Sequence, residues 1–163
     1  LTQRAADDNP VRVGLIGCGK FGTMFLTQAL QTTGLHVVGI ADLNIKRAQH
    51  NVSTAGWDRS RFDAKSLDTA FQSGTTYVGD DAAALIAYER LDVIIEATGI
   101  PRAGIEHCRR AIHAGHHVVM VSVEADVVAG PLLAREAAAA GVVDFLRSPC
   151  DVGPVKRAGP APG

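Results

Sequence analysis

Three glycines at the spacing Gly-x-Gly-x-x-Gly, Gly17, Gly19 and Gly22, directly follow an apolar run from Val11 to Ile16. Glycine at these points lets the chain turn tightly after a strand, lets the backbone approach a ligand, and lets the next helix pack closely. Free amide groups at the start of that helix favour an anion such as a diphosphate. The pattern therefore predicts a diphosphate-binding turn between a strand and a helix.

An acidic residue stands where such a turn has its usual partner. Asp42 ends the second apolar run and lies about twenty residues beyond the last glycine. The turn and the carboxylate together predict a nicotinamide dinucleotide site, in which Asp42 accepts hydrogen bonds from the adenosine ribose. Lys20 and Phe21, inside the turn, are also expected at the cofactor. For Lys20, a phosphate contact and a solvated side chain are both open.

The residues leave the choice between NAD and NADP open. At about 4 Å and an effective dielectric constant of about 20, Asp42 and a 2′-phosphate would repel by about 4 kcal/mol, which favours NAD slightly. Lys46 and Arg47 follow about one helical turn later. Either could neutralise the phosphate, and a solvated helix face is the simpler interpretation. The expected cofactor is therefore NADP or NAD.

β-rich runs alternate with amphipathic stretches along the chain. This alternation predicts an α/β fold of the Rossmann type, doubly wound, with a mostly parallel sheet and helices on both faces. Strands are expected at residues 11–16, 35–41, 75–78, 91–97, 118–121 and 142–146.

Helix-capping and helix-breaking residues predict where several helices begin and end. Gly34 is expected to end the first helix, and Asp80 is expected to cap a helix that follows it. Gly130 and Pro131 interrupt an alanine-rich region at 124–140, which predicts a kink or two short helices there.

Ligands of an open α/β sheet bind beyond the carboxyl ends of the strands. Thr98, Gly99 and Ser122 follow two of the predicted strands and are expected beside the nicotinamide half of the cofactor. Thr98 either bonds a ribose hydroxyl or caps the next helix.

Acid–base and metal-binding groups are sparse. Glu96 and Glu124 are possible acid–base groups, of which Glu124 is retained as the catalytic candidate; a plain strand-end or helix-start carboxylate is the alternative for each. The histidines lack the spacing of a two-ligand helical motif, so no metal site is predicted. Cys18 is either a reactive thiol near a helix start or an inert small side chain.

Composition excludes several classes of protein. The chain has 163 residues, 47% hydrophobic residues and a net charge of −1, which suits one ordinary globular domain. The balanced charge predicts no nucleic-acid partner, and the apolar runs are too short for a membrane span. Three cysteines without a Cys-x-x-Cys pair predict reduced thiols and a cytoplasmic location.

The predicted domain organisation has three parts. Residues 1–9 form an N-terminal arm, residues 10–146 form the NAD(P)-binding domain, and residues 147–163 form a Pro/Gly-rich tail that is expected to be disordered.

Four segments of the chain resemble the N-terminal domain of the homoserine dehydrogenase superfamily. They are VGLIGCGKFGTMF, VVGIADLN, DVIIEATG and HVVMVSVEADVVAGPLLAREAAAAGVV. The resemblance is closest to a bacterial branch of homoserine dehydrogenase-like proteins, often with a SAF domain, that act like 1-deoxy-D-xylulose 5-phosphate reductoisomerase. It implies the cofactor domain of an NAD(P)H-dependent oxidoreductase, with NADPH preferred in that branch.

The sequence departs from the family pattern at two places. Homoserine dehydrogenases carry Asn-Lys where this chain has Ser122 and Val123, so homoserine chemistry is not expected. Family members also continue into a substrate-binding and oligomerising domain. In this sequence the Pro/Gly-rich tail, residues 147–163, stands in its place. We therefore expect a truncated, catalytically incomplete cofactor domain, in which homo-oligomer formation stays open. A free-standing dinucleotide sensor and a non-catalytic remnant are the alternatives.

Overall fold

The computed structural model describes residues 1–7 and 9–146. Its strands are β1 (Val11–Ile16), β2 (Leu35–Ala41), β3 (Tyr77–Gly79), β4 (Val93–Glu96), β5 (His117–Met120) and β6 (Asp144–Leu146). Its helices are α1 (Thr2–Ala6), α2 (Lys20–Ala29), α3 (Ile45–Thr54), α4 (Leu67–Ser73), α5 (Ala82–Ile86), α6 (Pro101–His113) and α7 (Val123–Ala140). A short 3-10 turn, Arg59–Arg61, lies between α3 and α4.

The strands form one sheet in the order β3-β2-β1-β4-β5-β6, and every pair is parallel. The chain runs outward from β1 to β3 and then returns to place β4 on the other side of β1. The direction of winding therefore reverses between β1 and β4, which is where doubly wound sheets bind ligands. The predicted Rossmann-type fold is confirmed.

Two apolar clusters cover the two faces of this sheet. Neighbouring residues of one strand alternate between them, as Leu15 and Ile16 do in β1. One cluster packs beneath α2 and α3, and the other packs beneath α4 to α7. Strands buried on both faces read as continuous apolar runs, which is why the strand predictions came close to the observed bounds.

Two predicted helix boundaries are wrong. The first helix after β1 ends at Ala29, and Gly34, with φ of 81°, lies in the turn that leads into β2. The N-cap of α5 is Asp81, whose carboxylate accepts a hydrogen bond from the amide of Ala84 at 2.9 Å. Asp80, the predicted cap, is one residue too early for its carboxylate to cap this helix.

The region around Pro131 forms one helix, α7, so the alternative of two short helices is wrong. Proline removes one backbone hydrogen bond to the preceding turn. That turn faces solvent, because Val127 is 79% exposed, while Ala129, Leu133 and Ala137 on the opposite face are buried. Packing of the buried face maintains the helix across the proline. The predicted tail, residues 147–163, lies outside the described residues.

Candidate functional site

The glycine turn joins β1 to α2 with two contacts that exclude any side chain. Gly17 has φ of 91°, and a Cβ atom there would lie 2.7 Å from backbone atoms of Ala97 and Thr98. A Cβ atom at Gly22 would lie 2.5 Å from the carbonyl oxygen of Gly17. Gly17 therefore permits the tight turn and Gly22 permits close packing of α2, which are the roles predicted for them.

Gly19 has a different environment. It is the N-cap residue of α2, with φ of −81° and ψ of −153°, and no side chain among the described residues caps the helix there. A Cβ atom at Gly19 would have no atom of the described chain within 4 Å. The main-chain amides at the start of α2 are thus open to an anion, which the helix dipole favours.

These open amides adjoin a cavity of about 270 Å³ at the carboxyl ends of β1, β2 and β4. Its size is close to the lower end of the range for small-molecule sites, roughly 300 Å³. Four predicted cofactor residues line it: Gly17, Gly19, Asp42 and Thr98. The other lining residues are Ile16, Ala41, Leu43, Arg47, Asp80, Ala82, Ala97, Ile100, Ala103 and His107.

Asp42 follows β2 and closes one side of the cavity. One carboxylate oxygen accepts a hydrogen bond from the amide of Cys18 at 2.9 Å. The other accepts from the amide of Asn44 at 2.9 Å and from the guanidinium of Arg47 at 3.0 Å. The side chain is only 5% exposed. Asp42 therefore ties the glycine turn to β2, and Arg47 compensates its charge.

Cys18 lies inside the turn but faces away from the cavity. Its side chain is buried. Burial, and then the nearby Asp42 carboxylate, raise the pKa of this thiol to about 11. Because the thiolate is the nucleophile, a thiol that stays protonated at neutral pH is inert. The structure favours the inert interpretation.

Glu96, the last residue of β4, is fully buried on the other side of β1. Its Oε1 accepts hydrogen bonds from the amide and the hydroxyl of Thr98, and His107 Nδ1 lies 3.5 Å away. Its Oε2 has no hydrogen-bond partner in the described part of the chain. A Cβ atom at Gly104 would lie 2.8 Å from Oε2. The Thr98 hydroxyl is thus directed at Glu96, and its oxygen accepts from the amide of Ile100 at 3.3 Å.

Five other predicted residues are not part of the cavity wall formed by residues 1–7 and 9–146. Lys20 is exposed on α2, Phe21 packs against the apolar cluster beneath that helix, and Gly99 is exposed beyond β4. Ser122 caps α7 by accepting from the amide of Ala125. Glu124 is exposed and accepts from the Ser122 hydroxyl at 3.3 Å. Their roles at a cofactor stay predictions.

The part of the cavity wall that α6 contributes was not predicted from the sequence. Ala103 and His107 line the cavity, and Gly104 between them faces Glu96. The signal was present: Glu96 is a charged residue in an otherwise apolar strand. Residues three and four apart share a helix face, so Gly104, His107 and buried Cys108 could have been placed together opposite it.

Comparison with known proteins gives three kinds of match. A family model described as an oxidoreductase family with an NAD-binding Rossmann fold matches residues 11–120. A curated 1-deoxy-D-xylulose 5-phosphate reductoisomerase from Rhodopirellula baltica is 44% identical over 62 residues, which is 37% of this chain and 13% of that protein. A homoserine dehydrogenase from Thiobacillus denitrificans superposes with a TM-score of 0.66 at 21% identity, over 83% of this chain and 29% of that one.

Biliverdin reductase from Synechocystis sp. PCC 6803, solved with biliverdin and NADP⁺, superposes with a TM-score of 0.63 at 19% identity, over 84% of this chain and 37% of that one. At these identities the solved structures show a shared fold alone, and this chain spans about a third of each. The family model covers most of the chain, including the glycine turn, Asp42 and β4. The chain belongs to the oxidoreductase family with an NAD-binding Rossmann fold.

Proposed function

We propose that this chain is the cofactor-binding part of an NAD(P)H-dependent oxidoreductase of the homoserine dehydrogenase-like, reductoisomerase-like kind. The open helix start at Gly19 carries the proposal, because it adjoins the cavity at the point where the sheet reverses. The cofactor diphosphate would bind there. The nicotinamide supplies hydride transfer when it is bound, and the protein supplies binding and orientation.

The proposal includes a separate source for the substrate-binding groups. Ser122 and Glu124, which follow β5, are engaged with each other and with the start of α7. Neither supports an acid–base role toward the cavity. The described domain would therefore hold the cofactor without completing a reaction, and groups that bind and protonate the substrate would come from a further domain. For its substrate class, the similarity to a 1-deoxy-D-xylulose 5-phosphate reductoisomerase is the only support.

We also propose that the site accepts NADPH as well as NADH. A free carboxylate at the end of β2 would repel a 2′-phosphate. Here Asp42 is paired with Arg47, whose side chain is 59% exposed and lines the cavity. The guanidinium can donate to a phosphate and to a carboxylate at once, since it has five N–H donors. Arg47 would thus offset the repulsion that Asp42 alone causes.

Titration with NADH and NADPH, followed by the fluorescence of the reduced nicotinamide, tests the binding proposal. Gly19→Val places a side chain in the path of the diphosphate. It should lower affinity about a hundredfold or more, because several hydrogen bonds to a charged group are lost together. The backbone at Gly19 has a negative φ, so the variant should keep its fold, which circular dichroism checks. Unchanged affinity in a folded variant contradicts the proposal.

Arg47→Gln tests the choice of cofactor. It should weaken NADPH about tenfold, the effect of one charged hydrogen bond, and should change NADH affinity about twofold at most. Lys46→Gln is the matched control, because Lys46 is an exposed cation next in the same helix and is not part of the cavity wall as described. Equal effects of the two variants on NADPH would show that general charge attraction, not Arg47, selects the cofactor.

A further inference from the structure

We propose that His107, oriented by the buried carboxylate of Glu96, recognises the amino edge of the cofactor's adenine and so distinguishes adenine from bases that carry a carbonyl at that position. The inference rests on the proposed function, since it assigns one end of the same cavity. His107 would be a specificity-determining residue that touches the cofactor, and Glu96 would be a positioning residue that acts through it.

The shape of the cavity mouth fits a flat, uncharged ring. Leu43 follows β2 and Ile100 follows β4, and these two apolar side chains are 90% and 55% exposed. Because β1 lies between β2 and β4, their ends are two strand spacings, about 10 Å, apart. Both residues line the cavity, as do the small residues Ala82 and Ala103. An aromatic base between Leu43 and Ile100 would cover their exposed apolar surface.

Two carboxylates of the described cavity wall suit a hydrogen-bond donor on the base. Asp42 and Asp80 line the described wall, and Arg47, already paired with Asp42, is the cation among the same residues. The start of α2, beside Gly19, is the place for the anionic diphosphate. A neutral group that carries N–H donors suits the acidic end, and the exocyclic amine of adenine is such a group.

The partners of His107 determine which ring nitrogen can meet that amine. Nδ1 is buried, without a hydrogen-bond partner in the described ranges, and lies 3.5 Å from Glu96 Oε1. Because Glu96 Oε1 can accept a hydrogen bond, we assign the imidazole proton to Nδ1, which faces it. The opposite nitrogen, Nε2, is then an acceptor. The side chain is 20% exposed and lines the cavity, so Nε2 can accept from the adenine amine.

The glycine on the preceding turn of α6 supports a built arrangement. Gly104 leaves room for the Glu96 carboxylate, since a Cβ atom there would lie 2.8 Å from Oε2. Glycine inside a helix lowers helix stability relative to alanine. The sequence thus accommodates the Glu96 carboxylate next to His107 at a cost to the stability of α6, the helix that carries Gly104 and His107.

Comparing NADH with reduced nicotinamide hypoxanthine dinucleotide tests the inference, because hypoxanthine has a carbonyl oxygen where adenine has the amine. The full chain should bind NADH about tenfold more tightly, since one hydrogen bond is exchanged for a contact between two acceptors. His107→Leu should reduce this ratio to about one. His107→Gln, whose amide oxygen can accept in place of Nε2, should keep most of it. His113→Leu, an exposed histidine in the same helix, is the control and should keep the full ratio.

Each outcome has a defined meaning. If the unaltered chain binds neither dinucleotide, the proposed function fails and the inference with it. If the chain binds both with equal affinity, or if His107→Leu keeps the ratio, the proposed function stands and the inference is overturned. Asp80→Asn is a further variant to test, because the Asp80 carboxylate could also accept from the amine. The assignment to His107 is also overturned if Asp80→Asn loses the preference for NADH while His107→Gln and His107→Leu keep it. If His107→Leu does not fold, the ratios of the unaltered chain and of Asp80→Asn still decide: equal binding by the unaltered chain, or loss of the ratio in Asp80→Asn, overturns the assignment.

Discussion

Two buried carboxylates stand at strand ends on either side of β1, and their surroundings differ. Asp42 beyond β2 accepts from two backbone amides and is paired with the Arg47 guanidinium. Glu96 at the end of β4 concentrates its contacts on Oε1, while Oε2 lacks a partner in the described structure. Both positions look alike as a sequence, an acidic residue after an apolar run.

The difference shows that a strand-end carboxylate can have two kinds of role. A buried charge is tolerated when hydrogen bonds and an opposite charge compensate it, which is the state of Asp42. Glu96 is less fully compensated, and groups with unused hydrogen-bonding capacity are candidates for function. We therefore assign Asp42 mainly to holding the glycine turn, whereas Glu96 acts on the cavity through His107.

The largest effect on stability is expected at Gly17, where the glycine turn after β1 contacts the chain that follows β4. Gly17→Ala forces a side chain into the backbone of Ala97 and Thr98 at a residue with positive φ, and should lower the free energy of unfolding by about 3 kcal/mol or more. Urea unfolding measures it. Gly19→Ala is the matched control and should change stability by about 1 kcal/mol at most. Equal stability of both variants would mean that β1 and β4 do not constrain each other through this turn.

A smaller effect on stability, at Gly104, should depend on Glu96 and not on Asp42. Gly104→Ala should destabilise the chain by about 1–2 kcal/mol, because overpacking against Glu96 Oε2 outweighs the higher helix propensity of alanine. In a Glu96→Ala background the same change should be neutral or stabilising. In an Asp42→Ala background it should stay destabilising. A double-mutant cycle by urea unfolding measures the coupling, and additive effects with Glu96 would refute the contact.

The smallest effect depends on pH and concerns a third carboxylate, Asp144 of β6. Burial, and then Asp126, raise the pKa of Asp144 from 3.8 to about 6. The folded state therefore binds this proton more tightly than the unfolded state, so stability falls as the pH rises from about 4 to about 6. Asp144→Asn should raise the melting temperature at pH 7 and leave it nearly unchanged at pH 3.5. An equal shift at both pH values would show that charge is not the cause.

Much of the fold, and four of the residues that line the cavity, followed from local patterns. Strands appeared as apolar runs, and the steric roles predicted for Gly17 and Gly22 agree with their contacts, because each role depends on a short segment with a known shape. Asp80 and Asp81 show the limit of this approach. Adjacent aspartates are chemically equivalent caps, and only the backbone geometry selects Asp81.

The amino-acid order alone was enough for a parallel α/β sheet, a glycine turn and a carboxylate beside it, since hydrophobic periodicity and steric freedom are properties of neighbouring residues. It could not show that the Asp42 carboxylate bonds the amide of Cys18, or that Thr98 turns its hydroxyl to Glu96. Nor could it show that His107 Nδ1 lies 3.5 Å from Glu96 Oε1 at the cavity. Packing of separate elements decides these contacts, because a side chain's few hydrogen bonds go to whichever partners the folded chain brings within about 3 Å.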